Sequence, residues 1–386
     1  MTGVKFYADT PPEGYGVAAH RMMAGLDRLG VPVMFAPEFG AKHEAAGRVR
    51  AVPLLARLAS RPVAHDTVVF HSSPDHWPRL AAQERGRILV GATVWETDRP
   101  PARWLEAARA VHRTIVPCEW NRRVFAAAGW PGPIDVVPHI AQEAADLPPP
   151  RPAAGIRLRP DDFVFYSIAV WSARKALGET VAAFCRAVRW RRKTILILKT
   201  TVLDLTNEIR HQPRVPSWLT ARLITLATAP WCRVKLLTGR RPEEEMSWLH
   251  RRGDCYLNLS RGEGWGLGLF DACALGKPVI STAHGGPLDY LGEEAWRVDW
   301  RAAPVRPRNH ERFVYEAGMR WAEPDWTQAV RCIREVRTNP AAARRRAAPA
   351  AARLQAAFGW RPATERLLGA LALARADAAG GVPISP

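Results

Sequence analysis

Glu263 and Asp271 lie eight positions apart in a stretch that offers few other side chains, Ser260-Arg261-Gly262-Glu263-Gly264-Trp265-Gly266-Leu267-Gly268. Gly264, Gly266 and Gly268 leave backbone whose N–H groups can come close to a ligand. The apolar run from Leu267 to Leu275 reads as a buried helix, and "KPVIST" after it as a buried strand. Such a helix points its positive end at the glycines, which suits a phosphate or the oxygens of a sugar. Two carboxylates at different depths could accept hydrogen bonds from two separate sets of hydroxyls. The plainer alternative makes Asp271 a solvated helix residue and pairs Glu263 with Arg261.

Cations follow another strand. Arg174 and Lys175 come just after "DFVFYSIAVW", and two positive side chains at the end of a buried strand have an anion as their natural partner. His71 follows "DTVVF" and is a candidate proton-transfer or sugar-contacting group, with a structural histidine as the alternative. His76 and His20 are less well placed, and Asn121, Arg122 and His139 read as structural. Glu96, in "VWETD", could orient an acceptor or merely cap the next segment. Gly14-Tyr15-Gly16-Val17-Ala18-Ala19, with Glu38 past the next strand, has dinucleotide-fingerprint spacing. The Pro11-Pro12-Glu13 insertion makes the turn longer than that fingerprint wants. A flexible glycine loop lining a cleft fits better.

Strands and helices must alternate to present these groups. "VKFYAD", "VPVMFAPE", "DTVVFHSS", "RILVGATVWE", "RTIVPCE" and "IDVVPH" are strand candidates, interleaved with helical segments such as "VAAHRMMAGLDRLG" and "EWNRRVFAAAGW". A Pro-rich stretch, 143–156, reads as a linker. A second series follows: "DFVFYSIAVW", "KTILILKT", "CRVKLLTG" and "CYLNLS", with helices at "GETVAAFCRAVRW", near 217–228 and at "PEEEMSWLHRRG". The expected division is 1–142, linker 143–156, 157–323, helices 324–378 and a frayed tail 379–386. Two doubly wound parallel α/β domains facing a central cleft are implied.

The 386-residue chain is long enough for two domains, and 47% hydrophobic with 24% charged residues is a globular composition. Its net charge of +18 is unevenly spread: residues 1–150 carry 17 basic against 15 acidic side chains, the rest 38 against 22. The excess is dispersed through "RAVRWRRK", "HRR" and "AAARRRAA", so a nucleic-acid groove is not expected. The near-neutral first half lacks a basic patch for anionic lipid, though contact with a membrane surface stays open. Six scattered cysteines without a CxxC read as buried thiols of a reducing compartment. A start without signal-peptide regions and the absence of a membrane-length apolar run point to the cytoplasm.

The quoted glycine-acid segment, continued to "STAHGGPLDYL", resembles the E-x7-E segment of retaining glycosyltransferase family 4, here as E-x7-D. Agreeing pieces follow in order: "YGVAAHRMMAGLDRLG", "ATVWETDRPP", "VPCEWNRRVFAAAGW", "IDVVPHI", "VWSARKALGETVAAF" and "VKLLTG". The resemblance implies a GT-B fold and transfer of a hexose-type sugar from a nucleoside-diphosphate sugar, with retention of configuration. Glu263 would hold the donor sugar, Asp271 the ribose hydroxyls, and the amides of Gly264, Trp265, Gly266 and Leu267 the sugar and phosphates. Lys175 and Arg174 would take the diphosphate. His71 would stand near the transferred sugar, and Gly14, Tyr15, Gly16 and Glu96 would face a glycan, glycoconjugate or small-molecule acceptor. The family often has an arginine where Ala169 stands; either Arg174 takes over its role or the phosphate grip is weaker. Without an Asp-x-Asp, no metal or other cofactor is expected. The rival classes are a dinucleotide-dependent oxidoreductase built on Gly14–Gly16 and a non-catalytic basic binding protein on the same scaffold.

Overall fold

The computed structural model describes residues 2–11, 14–38, 42–191, 193–204, 215–307 and 314–380. Pro12 and Glu13 of the expected insertion, and tail residues 381–386, lie outside them. The chain divides into two compact units. One holds residues up to Trp95, Arg99–Ala141 and the segment from Ala356 on; the other holds Glu96–Asp98 and Gln142–Gln355.

In the first unit the order is β1 (Gly3–Ala8), α1 (Gly14–Arg28), β2 (Val33–Pro37), α2 (Lys42–Arg50), α3 (Pro53–Ser60), β3 (His65–His71), α4 (Trp77–Ala81), β4 (Ile88–Ala92), α5 (Ala102–Ala107), β5 (Arg113–Val116), α6 (Glu119–Ala127) and β6 (Ile134–Val136). The strands form one sheet in the order β2-β1-β3-β4-β5-β6, all parallel. Phe6 lies between Phe35 and Val69 in register. Parallel strands are covered by helices on both faces, and this is why they read as near-continuous apolar runs. The helices α2–α4 were not anticipated: they are short, and their apolar positions are too few to show a period.

The second unit begins with β7 (Phe163–Ile168), α7 (Leu177–Val188), β8 (Thr194–Lys199), β9 (Leu203–Asp204), β10 (Val215–Pro216), α8 (Ser217–Thr228), β11 (Arg233–Leu237), α9 (Glu243–Arg252), β12 (Cys255–Asn258), α10 (Leu267–Ala274), β13 (Val279–Thr282) and β14 (Trp296–Val298). A hairpin of β15 (Trp300–Pro304) and β16 (Arg320–Pro324) precedes α11 (Trp326–Thr338), α12 (Pro340–Ala347), α13 (Pro349–Phe358) and α14 (Trp360–Ala379). The main sheet runs β11-β8-β7-β12-β13-β14. From β7 the chain winds outward through β8 to β11, and from β12 it winds the other way. The loops after β7 and β12 therefore diverge at the switch point, where open α/β sheets bind ligands. Phe165, Phe184, Leu198, Ile280 and Ile333 fill the core beside the sheet.

Two expectations need correcting. The C-terminal helices do not form a separate layer: Leu367 and Leu371 of α14 are in the first unit's core with Phe6, Met23 and Leu26. At the α1–α14 crossing, a Cβ on Gly25 would meet Thr364 Oγ1 at 2.1 Å, so glycine permits that approach. From Trp326 to Ala379 only helices follow, as expected, and the β15–β16 hairpin lies before them. The cysteines are not all thiols either: Cys185 on α7 is disulfide-bonded to Cys232 just before β11, while Cys118, Cys255, Cys273 and Cys332 are buried thiols. The pairing follows from α7 lying beside β11's entrance, across 47 residues of sequence.

Candidate active site

The two switch-point loops are stitched by backbone contacts. The Arg261 N–H donates to the Arg174 carbonyl at 2.8 Å, and the Ser260 hydroxyl reaches the carbonyls of Arg174 (3.2 Å) and Gly262 (2.9 Å). On this frame Lys175 Nζ donates to both oxygens of Glu263 at 2.6 Å. Arg174 donates to the Gly262 carbonyl at 2.7 Å and lies 3.3 Å from Glu96 and 3.7 Å from Glu263. Glu96 belongs to the second unit and serves as a partner of Arg174. Burial holds the Lys175 ammonium below lysine's ordinary range, Glu263 opposes this, and Arg174 adds to the lowering. Arg261 is not Glu263's partner. It binds Glu323 at 2.7 Å and Glu179 at 2.8 Å instead.

Backbone geometry fixes Glu263. Its carbonyl accepts from the Gly286 N–H at 2.9 Å, and Gly285 (φ +77°) passes so close that a Cβ there would meet that oxygen at 2.4 Å. Gly266 adopts φ +84° as it enters α10, a conformation in which glycine pays no steric cost. Trp265 turns inward, edge-on to Phe270 and tilted against Tyr290, and its carbonyl accepts from the Tyr290 hydroxyl at 2.8 Å. Its ring is core, so only its backbone could face a ligand. Gly264 and Leu267 lie on the same loop and the first position of α10, and a Cβ on Gly268 would strike Tyr256 Oη at 2.4 Å.

Asp271 is 7% exposed, which overturns the solvated-helix alternative. Burial first, and then both Glu263 and Asp271, push the Tyr256 hydroxyl up, so the two carboxylates share one neighbour. Ala169, where a family arginine would stand, packs against the hydrophobic core.

The first unit gathers a different group. His71, at the end of β3, is 4% exposed and burial lowers it to about 4. Its ring meets Tyr15 edge-on at 5.5 Å and lies 6.4 Å from His139. Among the described residues its Nδ1 has no hydrogen-bond partner. The sequence pattern had set His139 aside, because nothing in "IDVVPH" signals what its ring would meet. Tyr15 bonds the Thr93 hydroxyl at 3.0 Å. Gly14 and Gly16 are already helical, in α1, and are not loop residues. A Cβ on Gly16 would strike the Thr10 carbonyl at 2.4 Å: this glycine serves packing. Glu38 is raised to about 8, mainly by burial, with Ser72 and Arg79 opposing. Asn121 is structural, donating to the Trp95 carbonyl at 2.8 Å.

Two parallel six-stranded sheets, each with its covering helices, and a carboxylate–lysine pair at a switch point define the GT-B class of glycosyltransferase fold. Residues 177–367 match the family model described as "Family 4 Glycosyltransferase in conflict systems", and this segment belongs with the family 4 glycosyltransferases. Among solved structures, the chain is similar to a sucrose-phosphate synthase from Thermosynechococcus elongatus (TM-score 0.66, 14% identity, 99% of this chain and 100% of that one). It is also similar to the E. coli structure titled as trehalose-6-phosphate bound with UDP-2-fluoro glucose (TM-score 0.61, 13% identity, 96% and 99%). A glycosyltransferase from Rickettsia africae aligns too (TM-score 0.62, 11% identity, 97% and 98%). No curated protein matches by sequence. Among the described residues, no helix is long and apolar enough to cross a membrane.

Proposed function

We propose that this glycosyltransferase moves a hexose-type sugar from a nucleoside diphosphate to an acceptor hydroxyl, with retention of configuration, as a cytoplasmic enzyme. The observation that carries the reading is the Lys175–Glu263 pair, buried beside Arg174 at the sheet's switch point. In the free protein Glu263 neutralises Lys175. A diphosphate would draw Lys175 and Arg174 to itself and leave Glu263 to accept hydrogen bonds from sugar hydroxyls. Asp271 would receive the ribose hydroxyls, and the amides from Gly264 to Leu267 the sugar and phosphate oxygens.

Transfer develops negative charge on the departing diphosphate, and fixed cations stabilise that charge more than they stabilise the bound donor. Arg174 takes the place of the arginine absent at Ala169, and these two cations, without a metal, carry the leaving group. His71 and Tyr15 belong to the acceptor side, where a glycan, glycoconjugate or small molecule would present its hydroxyl. The test is incubation with a panel of nucleotide sugars, beginning with UDP-glucose, scored by release of nucleoside diphosphate. Turnover of one donor that is lost in Glu263→Gln supports the reading. No release from any donor, with or without added sugar acceptors, counts against it.

A further inference from the structure

A cavity of about 690 Å³ opens in the second unit, lined in part by Arg261 of the loop after β12. Lys175, Glu263 and Asp271 do not line it. Its base is Arg261, held by Glu323 (2.7 Å), Glu179 (2.8 Å) and the Ala173 carbonyl (2.6 Å), with its guanidinium over Trp321. Both carboxylates of the lining are therefore committed to one arginine. Arg301 and Arg306, from the β15–β16 hairpin and the residues after β15, also line the cavity and are exposed. Arg301 lends Glu323 a longer-range attraction, and neither arginine has a carboxylate within ion-pair distance among the described residues. Across from them, Leu223 of α8 is 58% exposed, beside Ile224 and Trp171.

Arg301, which pairs in register with Glu323 but has no ion pair with it, and Arg306 line a space of ligand size together with Leu223, Ile224 and Trp171. A planar fork of donors matches phosphate oxygens, and an exposed leucine beside it offers contact to whatever carries the phosphate. We propose that this cavity is a second ligand site, which takes a small phosphorylated molecule with its phosphate on Arg301 and Arg306 and its organic part against Leu223 and Trp171. The inference rests on reading the Lys175–Glu263 crevice as the donor site. The same chemistry could come from a phosphorylated sugar or from a nucleotide.

Calorimetry of the full chain with glucose 6-phosphate, UDP and unphosphorylated glucose decides the matter. At least one phosphorylated probe should bind Lys175→Ala, and its affinity should fall roughly tenfold or more when Arg301→Ala and Arg306→Ala are combined. Glucose should not bind there. Glucose 6-phosphate binding that the arginine pair supports assigns a sugar-phosphate source, and UDP binding to Lys175→Ala that is lost on removing the arginine pair assigns a nucleotide source. Leu223→Asp, on an exposed position, should weaken the same binding without touching either arginine. The proposal is overturned if neither phosphorylated probe binds Lys175→Ala, or if the arginine pair can be removed without effect. UDP binding that Lys175→Ala abolishes and the arginine variant spares would sustain the donor site alone.

Discussion

Lys175 Nζ stands 2.6 Å from each carboxylate oxygen of Glu263, although 88 residues separate the two in sequence. The pair is mostly buried, its side chains 14% and 9% exposed. Removing the lysine alone leaves a buried carboxylate with Arg174 as its remaining cation. Lys175→Met should therefore cost about 3 kcal/mol in urea unfolding, and adding Glu263→Gln should recover most of it. A double variant no more stable than Lys175→Met would show that the pair does not hold the loops.

Binding and turnover should separate within the same pair. Lys175→Ala should weaken nucleoside diphosphate binding roughly ten- to a hundred-fold, because a charge-assisted contact is lost in ground and transition states alike. Glu263→Gln should leave diphosphate affinity nearly unchanged while transfer falls steeply, since the lost contact orients the sugar. Calorimetry with the diphosphate and a donor-turnover assay read the two effects.

Gly285→Ala tests the backbone support. The residue sits at φ +77° with the Glu263 carbonyl in the space a methyl would need. The substitution should cost roughly 1–3 kcal/mol and lower transfer more than diphosphate binding, because it displaces Glu263 and not Lys175. Equal losses in both readouts would contradict this.

Stability should fall on both sides of neutrality, for different reasons. His71 and His284 are each lowered to about 4 by burial, so the fold holds them neutral. Their contribution is present above the unfolded value near 6.5 and is lost as the pH drops toward 4, at about 1.4 kcal/mol per pH unit for each. Glu38 is raised to about 8, so its contribution is present below the unfolded value and is lost as the pH rises toward 8. Glu38→Gln should flatten the alkaline limb of a urea-midpoint profile between pH 5 and 8, and His71→Asn should flatten part of the acid limb.

The Cys185–Cys232 bond closes a long loop within the second unit. Thiol titration in denaturant should find four free cysteines of the six, and six after reduction. Breaking the bond with Cys185→Ala and Cys232→Ala should cost roughly 2–4 kcal/mol. Six thiols before reduction would show that the pair is not bonded in solution.

The alternation of strands and helices was legible in the sequence because strands buried on both faces, such as "KTILILKT", leave no polar interruptions, and because helices such as α7 keep a 3.6-residue period. The glycine-flanked Glu263 was legible too: special backbone and a carboxylate before a helix are local features. What lay beyond reach depends on which distant surfaces meet. The apolar stripe of α14 announces a need for burial but not a partner, and only the folded chain returns Leu367 and Leu371 to the first core. The β15–β16 hairpin is mostly exposed on β15, so backbone pairing defines it and no apolar rhythm marks it. Gly16 read by spacing as part of a cleft-lining glycine loop, whereas tertiary packing against Thr10 uses it. The partner of Glu263 was open between Arg261 and others by spacing alone. The switch in winding between β7 and β12 places Lys175 there, while Arg261 pairs with Glu179 and Glu323.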